Sequence, residues 1–471
     1  MIVQYQVAHT VEALGAAIDA AIDDPEEEDT DKEEYSDHGD AASKAMDAHV
    51  HDMVAWLRAQ GGGFNRKLQI RRADPSDPTS YFGVFATESI PPMEPLMTIP
   101  ASAMIRGSID PYEHQHALIC DLTHILLKEL KLGEKSHFAP YVKYLLGQDR
   151  GQIPATWTEP AKELLREIES PSSADDEQLA LTDWVEMYYM SEDRDCIEPG
   201  NADELQALAI VMQRGWDVVL IPIYDMHNHM NDKEKQNTDS NSVYSEGGLR
   251  VWASKSIDAG EELVITYDNC IDCGGNPDWW GTTELLRDFG FVELYPRKFE
   301  FHEVDVLFTV DKVTNEEEDG ESEYLEIDWL YERSPGSEAI VWMKEEYQRL
   351  QDLQHEGTLA KKRHLMPEKE WNMIVQYQVA RTEALGAAID AAIDELEKDV
   401  DEEDYDDEVD DSLDHEDDAD EDSENENSSN VVPLDKGDHG ADMEDAKEDD
   451  VIDDRTLDNI EGPAKKNNDE L

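Results

Sequence analysis

The stretch LIPIYDMHNHMND, residues 220–232, decides the reading of this chain together with GEELVITYD, residues 260–268. In the first, an apolar run reaches the polar pair Asn228-His229. In the second, a Gly-Glu-Glu turn opens an apolar run that ends on Tyr267. Short runs rich in β-branched and aromatic residues and bounded by polar turns read as strands. Taken alone, Asn228-His229 would pass for a polar turn after a strand.

Outward from this centre the texture alternates. Toward the N-terminus, KLQIRRA (67–73), YFGVFATESI (81–90) and LMTIP (96–100) read as strands, with Pro91-Pro92 marking a turn between the last two. DAHVHDMVAWLRAQ (47–60) reads as a short helix stopped by Gly61-Gly62-Gly63. Between residues 114 and 213 the spacing of Leu and Ile becomes helical, in ALICDLTHILLKELKLG (117–133), YVKYLLG (141–147) and AKELLREIE (161–169). Strand texture returns at 218–223, 249–255 and 262–267. ELLRDFGFVE (284–293) reads as a helix turning at Gly290, and FHEVDVLFTVD (301–311) alternates like a strand. A helical segment is expected from about 337 to 397. The fold class is therefore α+β: a β-rich unit split by a helical insertion, then a mainly helical C-terminal region and a disordered acidic tail.

The two deciding strings, with YFGVFATESI, AIVMQRGW (209–216) and ELLRDFGFVE in this order, resemble the SET-domain protein methyltransferases. The split layout is similar to one subgroup, that of Rubisco large-subunit lysine methyltransferase and actin histidine methyltransferase. The resemblance covers roughly 50–311, with a weaker echo to about 397. It implies a SET N-terminal part at 47–105, a helical insertion at 106–213, a SET C-terminal part at 214–295 and a substrate-binding-like region at 296–396. Residues 1–46 remain as a duplicated helix and acidic linker, and 397–471 as the tail.

The same resemblance implies a cofactor, S-adenosylmethionine, and a reaction, methyl transfer to a protein side chain. It gives cofactor contacts to Ser80, Tyr81, Phe82, Gly83, Arg214, Asn228, His229 and Tyr267. Bidentate Arg–carboxylate geometry suits Arg214 to the cofactor's carboxylate. The family's Gly-x-Gly turn is altered here, with Tyr81 in place of the first glycine and Gly83 kept for unusual dihedrals or close approach. Tyr267 is the expected catalytic residue, and Phe289 and Phe291 the expected walls of the substrate channel. An unperturbed lysine has a pKa of ~10.4, so its neutral form at pH 7 costs about 4–5 kcal/mol. A desolvated channel reduces that cost by disfavouring the ammonium. Lysine is the expected acceptor, histidine the alternative; a non-catalytic SET-like module that holds a basic partner is the alternative of another class.

The chain has 471 residues and a formal net charge of −74. Residues 394–471 hold 36 acidic and 6 basic residues, and DDPEEEDTDKEEYSD (23–37) is a second acidic run. Such segments bury too little apolar surface to offset their ordering entropy, so both are expected to be disordered. The acidity argues against direct nucleic-acid binding and favours a basic protein partner. Four cysteines in a long chain predict no disulfide framework and a reducing compartment, cytoplasmic or nuclear, with an organelle left open. Cys270 and Cys273 form a lone CxxC, too few ligands for a zinc site, and no metal is expected. No apolar run approaches a membrane span, no secretory signal is visible, and a monomer is expected.

One repeat stands out. MIVQYQVA occurs at 1–8 and 373–380, and ALGAAIDAAID at 13–23 and 384–394. His9 stands where the second copy has Arg381, and Val11 is one extra residue. Leu385, Ile389 and Ile393 fall at i, i+4, i+8, so the segment is an amphipathic helix. The C-terminal copy is expected to pack, the N-terminal one to stay a spare.

Overall fold

The structure is a computed structural model of the full chain. It describes residues 36–406, apart from 78–79, 110–114, 149, 170–180, 191–195, 217–218, 268–279, 318–319, 331–333 and 356–360. The chain divides into Met1–Glu408 and Val409–Leu471, and all described residues lie in the first. The N-terminal repeat copy, Cys270, Cys273 and the tail beyond residue 406 lie outside them.

A first helix, α1 (Ser36–Ala59), leads into the sheets. Strands β1 (Gly63–Phe64), β4 (Pro95–Ile99), β10 (Leu249–Ala253) and β9 (Thr238–Ser240) form one antiparallel sheet in that order. Strand β2 (Leu68–Arg72) pairs antiparallel with β3 (Phe82–Ala86). Strands β5 (Ile105–Arg106), β7 (Val219–Leu220) and β6 (Gly215–Trp216) form a third sheet, so residues on either side of the insertion meet. Strand β8 (Asn228–His229) pairs in parallel with β11 (Val264–Ile265). The turn before β11 is stitched to β3: Ala86 N–H donates to Glu261 O (2.9 Å) and Leu263 N–H to Val84 O (2.7 Å). Val84, Ile90, Leu96, Ile99, Leu220, Val251 and Leu263 form the core beneath. The insertion contributes α2 (Gln115–Leu132), α3 (Ala139–Leu146), α4 (Glu159–Glu169), α5 (Trp184–Tyr189) and α6 (Ala202–Arg214). Their apolar residues recur every three or four positions, which places one face of each on the core.

A second core lies beyond α7 (Thr282–Phe289). It joins α4 and α7 to the antiparallel strands β12 (Arg297–Phe301), β13 (Val306–Glu317) and β14 (Gly320–Trp329), and to helices α8 (Ser337–His355) and α9 (Glu368–Asp406). The C-terminal repeat copy is packed within α9: Ile374, Tyr377, Ala384, Leu385 and Ala388 are buried. Gly386 allows the Tyr347 ring of α8 to lie against it, at 3.1 Å from where a Cβ would stand.

Four expectations need correction. The helix expected at 47–60 begins at Ser36, inside the stretch read as acidic linker. Ala41, Ala42, Lys44 and Ala45 favour helix, and Met46 packs on the first core. The region after residue 296 is mainly helical, as expected, but the one strand read at 301–311 belongs to a three-stranded sheet whose last strand was not read. The period-two pattern Leu325, Ile327, Trp329 packs on the second core, a strand signal obscured by the acidic residues between. The tail expected from 397 begins as helix, because α9 continues to Asp406 from a packed anchor, and propagating a helix costs far less than starting one. Finally, Cys120 and Cys196 are joined in a disulfide, which the fold permits by bringing their Cα atoms to 5.2 Å. Among the described residues, no helix is long and apolar enough to cross a membrane.

Two carboxyls of this region carry a pH prediction. Burial pushes Glu169 up to about 8, against hydrogen bonds from Leu181 N–H and the field of Arg381; it pushes Glu284 up to about 7, against Arg287. The folded protein therefore keeps protons that the unfolded chain releases. Stability from these groups is full below the ordinary glutamate value and is lost as the pH rises through about 7 to 8. Glu169→Gln should have little effect at pH 4.5 and raise the melting temperature relative to wild type by several degrees at pH 8. A pH-independent difference in thermal melts would show that Glu169 is not held protonated.

Candidate active site

Most of the residues expected in the site converge at the β8–β11 pair. In a parallel ladder, bonds run from one residue to the two neighbours of its partner. Met230 N–H donates to Ile265 O (2.8 Å) opposite His229. The amide and carbonyl of His229 therefore point away from β11, open to a planar ligand edge. Asn228 Nδ2 donates to Phe82 O (3.0 Å) and to Glu262 Oε1 (2.6 Å), which leaves its Oδ1 as the outward acceptor. One side chain thus ties β8 to the glycine turn at β3 and to the Gly-Glu-Glu turn before β11.

Gly83 shows its purpose here. Its φ is not positive, so conformational freedom is not the reason for glycine. A Cβ would collide with the Glu262 carboxylate and stand 3.0 Å from the Phe85 ring. Tyr81, two residues before Gly83, donates its hydroxyl to Glu262 Oε2 (3.1 Å). Burial pushes the Glu262 carboxyl above its ordinary value, against the hydrogen bonds from Asn228 and Tyr81. Ser80 lies farther along, its hydroxyl accepting from Asp74 N–H (2.9 Å) and its carbonyl from Arg72 (2.7 Å). Gly83→Ala should displace the Glu262 carboxylate at a cost of about 1–3 kcal/mol. An unchanged thermal midpoint would show that the carboxylate swings aside freely.

Tyr267 is held from three sides. Its hydroxyl donates to His227 O (2.8 Å), and its backbone N–H donates to His229 Nδ1 (2.9 Å). Its ring centroid lies 4.7 Å from Phe289 and 6.3 Å from Phe291. Trp280 meets Phe289 edge-on at 6.2 Å. Because the phenol proton is committed to a carbonyl, the oxygen can meet any further partner only as an acceptor. Burial pushes the phenol above its ordinary value, against the field of Arg214, so it stays protonated at neutral pH. It can act as a fixed dipole and acceptor, not as a base.

The imidazole of His229 is a strut. Nδ1 accepts from Tyr267, so Nε2 carries the proton and donates to Glu293 Oε2 (3.2 Å). Glu293 also accepts from Asn231 Nδ2 (2.6 Å) and from the Thr282 hydroxyl. His227 turns elsewhere, with Nδ1 on Tyr224 O (2.9 Å). Burial pushes it down to about 4, against that backbone bond, so it is neutral. The two histidines do not share a ligand position. Ile223, buried at φ 73, starts the turn that presents them; a β-branched residue there stores about 1–3 kcal/mol.

Arg214 ends α6 and is tightly held. Nη1 donates to Asp225 Oδ2 (3.3 Å) and Asp225 O (3.2 Å), Nη2 to Gln148 Oε1 (2.7 Å), and the guanidinium lies 5.1 Å from the Tyr144 ring centroid. Tyr141 hydroxyl also donates to Asp225 Oδ2 (2.8 Å). The arginine expected to bind a ligand's carboxylate is also paired with a buried aspartate of its own chain. Three bonds leave part of its five-donor fork over.

Sequence reading missed Glu262, Glu293 and Asp225. Glu262 is the second Glu of the quoted turn and Glu293 the last residue of ELLRDFGFVE, so both lay inside recognised strings. Their partners sit 34 and 64 residues away, for Asn228 and His229, where sequence spacing carries no signal.

Residues 81–268 match the family model of the SET domain, and this part of the chain is a SET domain, with the helical insertion inside it. Among solved structures, the SET domain of LSMT bound to lysine and AdoHcy is similar at 13% identity and a TM-score of 0.41, covering 74% of this chain and 92% of that one. Rubisco LSMT bound to sinefungin and monomethyllysine is similar at 13% identity and 0.40, covering 75% and 92%. No curated protein matches the sequence.

Proposed function

We propose that this SET-domain chain is an S-adenosylmethionine-dependent protein methyltransferase whose acceptor is a lysine. One observation carries the reading: a half-buried, protonated phenol, Tyr267, is pinned by His227 O and walled by Phe289 and Phe291 beside Asn228-His229. The residues present fit the cofactor. The outward amide and carbonyl of His229 match an adenine edge, Asn228 Oδ1 an ammonium, and the spare donors of Arg214 a carboxylate. The cofactor supplies an electrophilic methyl on a sulfonium. The chain supplies the rest. The Tyr267 oxygen offers lone pairs to polarised C–H groups and to the incoming amine, and the aromatic walls exclude water. Desolvation in that recess disfavours an ammonium and so favours the neutral nucleophile.

Lysine is preferred to histidine because of what the walls lack. An aliphatic stem needs no polar partner, whereas an imidazole carries a second ring nitrogen that does. Phe289 and Phe291 offer none. A net charge of −74 favours a basic segment on the substrate protein.

Calorimetry should show saturable binding of the cofactor and of its demethylated product. Arg214→Ala should weaken binding by roughly 1.5–3 kcal/mol, the range for hydrogen bonds to charged groups. No binding by the folded protein at millimolar cofactor would remove the enzyme reading. Labelled cofactor with lysate, followed by mass spectrometry, should place the label on lysine; label on histidine would overturn the acceptor.

A further inference from the structure

The helical insertion contains three potential ligands that methyl transfer does not use. His116 and Cys120 are four residues apart on α2, hence on one face. Cys196 comes from the segment leading into α6, against which α2 packs. His116 Nε2 lies 3.4 Å from Cys120 Sγ. The ligand atoms of all three lie within 4.8 Å of one another. The two sulfurs are bonded to each other in this structure. Cys120 and Cys196 are 8% and 1% exposed, in a cluster with Ile153, Val185 and Leu208. The surroundings fix the ligands: His116 stacks on Tyr189 at 5.6 Å, and His124 Nε2 bonds Cys196 O at 2.7 Å.

We propose that His116, Cys120 and Cys196 form a redox-gated site for a thiophilic divalent cation of the zinc class, closed as the disulfide and open when reduced. Zinc takes sulfur at about 2.3 Å and imidazole nitrogen at about 2.0–2.1 Å in a tetrahedron. Those lengths place nitrogen and sulfur about 3.5 Å apart across the ion, close to the 3.4 Å already present. The sulfurs would need to part to about 3.7 Å, a side-chain rotation from Cα atoms 5.2 Å apart. Three protein ligands leave the fourth position to water. Opening is a two-electron reduction: a dithiol gives two electrons and two protons, the S–S bond breaks into two thiols, and the dithiol leaves as its own disulfide. Cation binding then releases both thiol protons, because the ligands are thiolates. Either state ties α2 to the segment before α6, the helix that ends on Arg214.

The test uses the full chain with Cys270→Ser and Cys273→Ser, so that no other thiols remain. The protein is reduced with a dithiol, freed of it under anaerobic conditions, and titrated with Co²⁺ as a spectroscopic probe, then with Zn²⁺ in competition. One equivalent of Co²⁺ should bind with thiolate-to-cobalt charge-transfer bands, and Zn²⁺ should displace it. The oxidised form should show neither. Loss of a group one shell further out costs about 10–100-fold in metal affinity, so His116→Ala and Cys196→Ser should each cost at least that. Reduced protein that takes up no stoichiometric Co²⁺ would overturn the proposal without any ligand variant. So would equal uptake by the disulfide form or by His116→Ala.

Discussion

Tyr267→Phe is expected to lower kcat by about 10²–10³-fold, the usual cost of one preorganised polar group at a reacting centre, while cofactor affinity changes by less than about threefold. The ring would remain, with its contacts to Phe289 and Phe291. What disappears is the oxygen, whose proton is fixed on His227 O and whose lone pairs are the acceptors on which the proposed reaction draws. Those lone pairs interact with a methyl and an amine most strongly as charge shifts between them, so the loss should fall on turnover and not on ground-state binding. The variant also leaves the His227 carbonyl without its phenol partner, at about 1–3 kcal/mol of stability. Turnover must therefore be measured on folded protein, below its own melting transition. Wild-type kcat in the variant would reduce Tyr267 to a packing residue.

Why this site was readable while its supports were not follows from the range of the interactions. Asn228, His229 and Tyr267 sit at strand ends whose apolar runs are local and visible, and Phe289 and Phe291 flank Gly290, whose left-handed φ of 77 ends α7. Local patterning fixes such residues to the ends of elements. Glu262 and Glu293 act through Asn228 and His229, and only the pairing of β8 with β11 brings them together. Arg214 was legible as a residue for a carboxylate; its additional pairing with Asp225, which follows the positive-φ turn at Ile223, is announced by no residue pattern. The acidic stretches were judged by mean charge, yet Met46 and Leu396 each pack on a core and hold helix into them.

Leu385→Asp is expected to remove most of the stability of the C-terminal region, whereas Leu14→Asp, at the matching position of the N-terminal copy, is expected to leave the melting temperature unchanged. Truncating a buried leucine costs about 2–5 kcal/mol, and an unpaired carboxylate in its place adds desolvation, against a total of about 5–15 kcal/mol. Leu385 is fully buried, flanked on its face by Ala384, Ala388 and Ala392, in the groove that α8 completes. The two copies share nearly all their residues, so propensity does not choose between them; two small differences do. The C-terminal copy has Arg381, buried over Phe301 (4.7 Å) and paired with Glu346 (3.4 Å), which Arg349 also holds (2.6 Å). The N-terminal copy has His9 there, too short for the same reach. The N-terminal copy also carries Val11, an extra residue between MIVQYQVA and ALGAAIDAAID. In a helix with 3.6 residues per turn, one insertion rotates everything after it by about 100°. The face that runs unbroken from Ile374 through Tyr377 and Ala380 to Leu385 and Ala392 would be split in the twin, with Leu14 turned away from the stripe begun by Ile2 and Tyr5. Thermal melts with hydrogen exchange over 337–406 provide the measurement. Equal destabilisation by the two variants would mean that the twin shares the groove despite its broken stripe, and a tolerated Leu385→Asp would mean that it can replace the C-terminal copy outright.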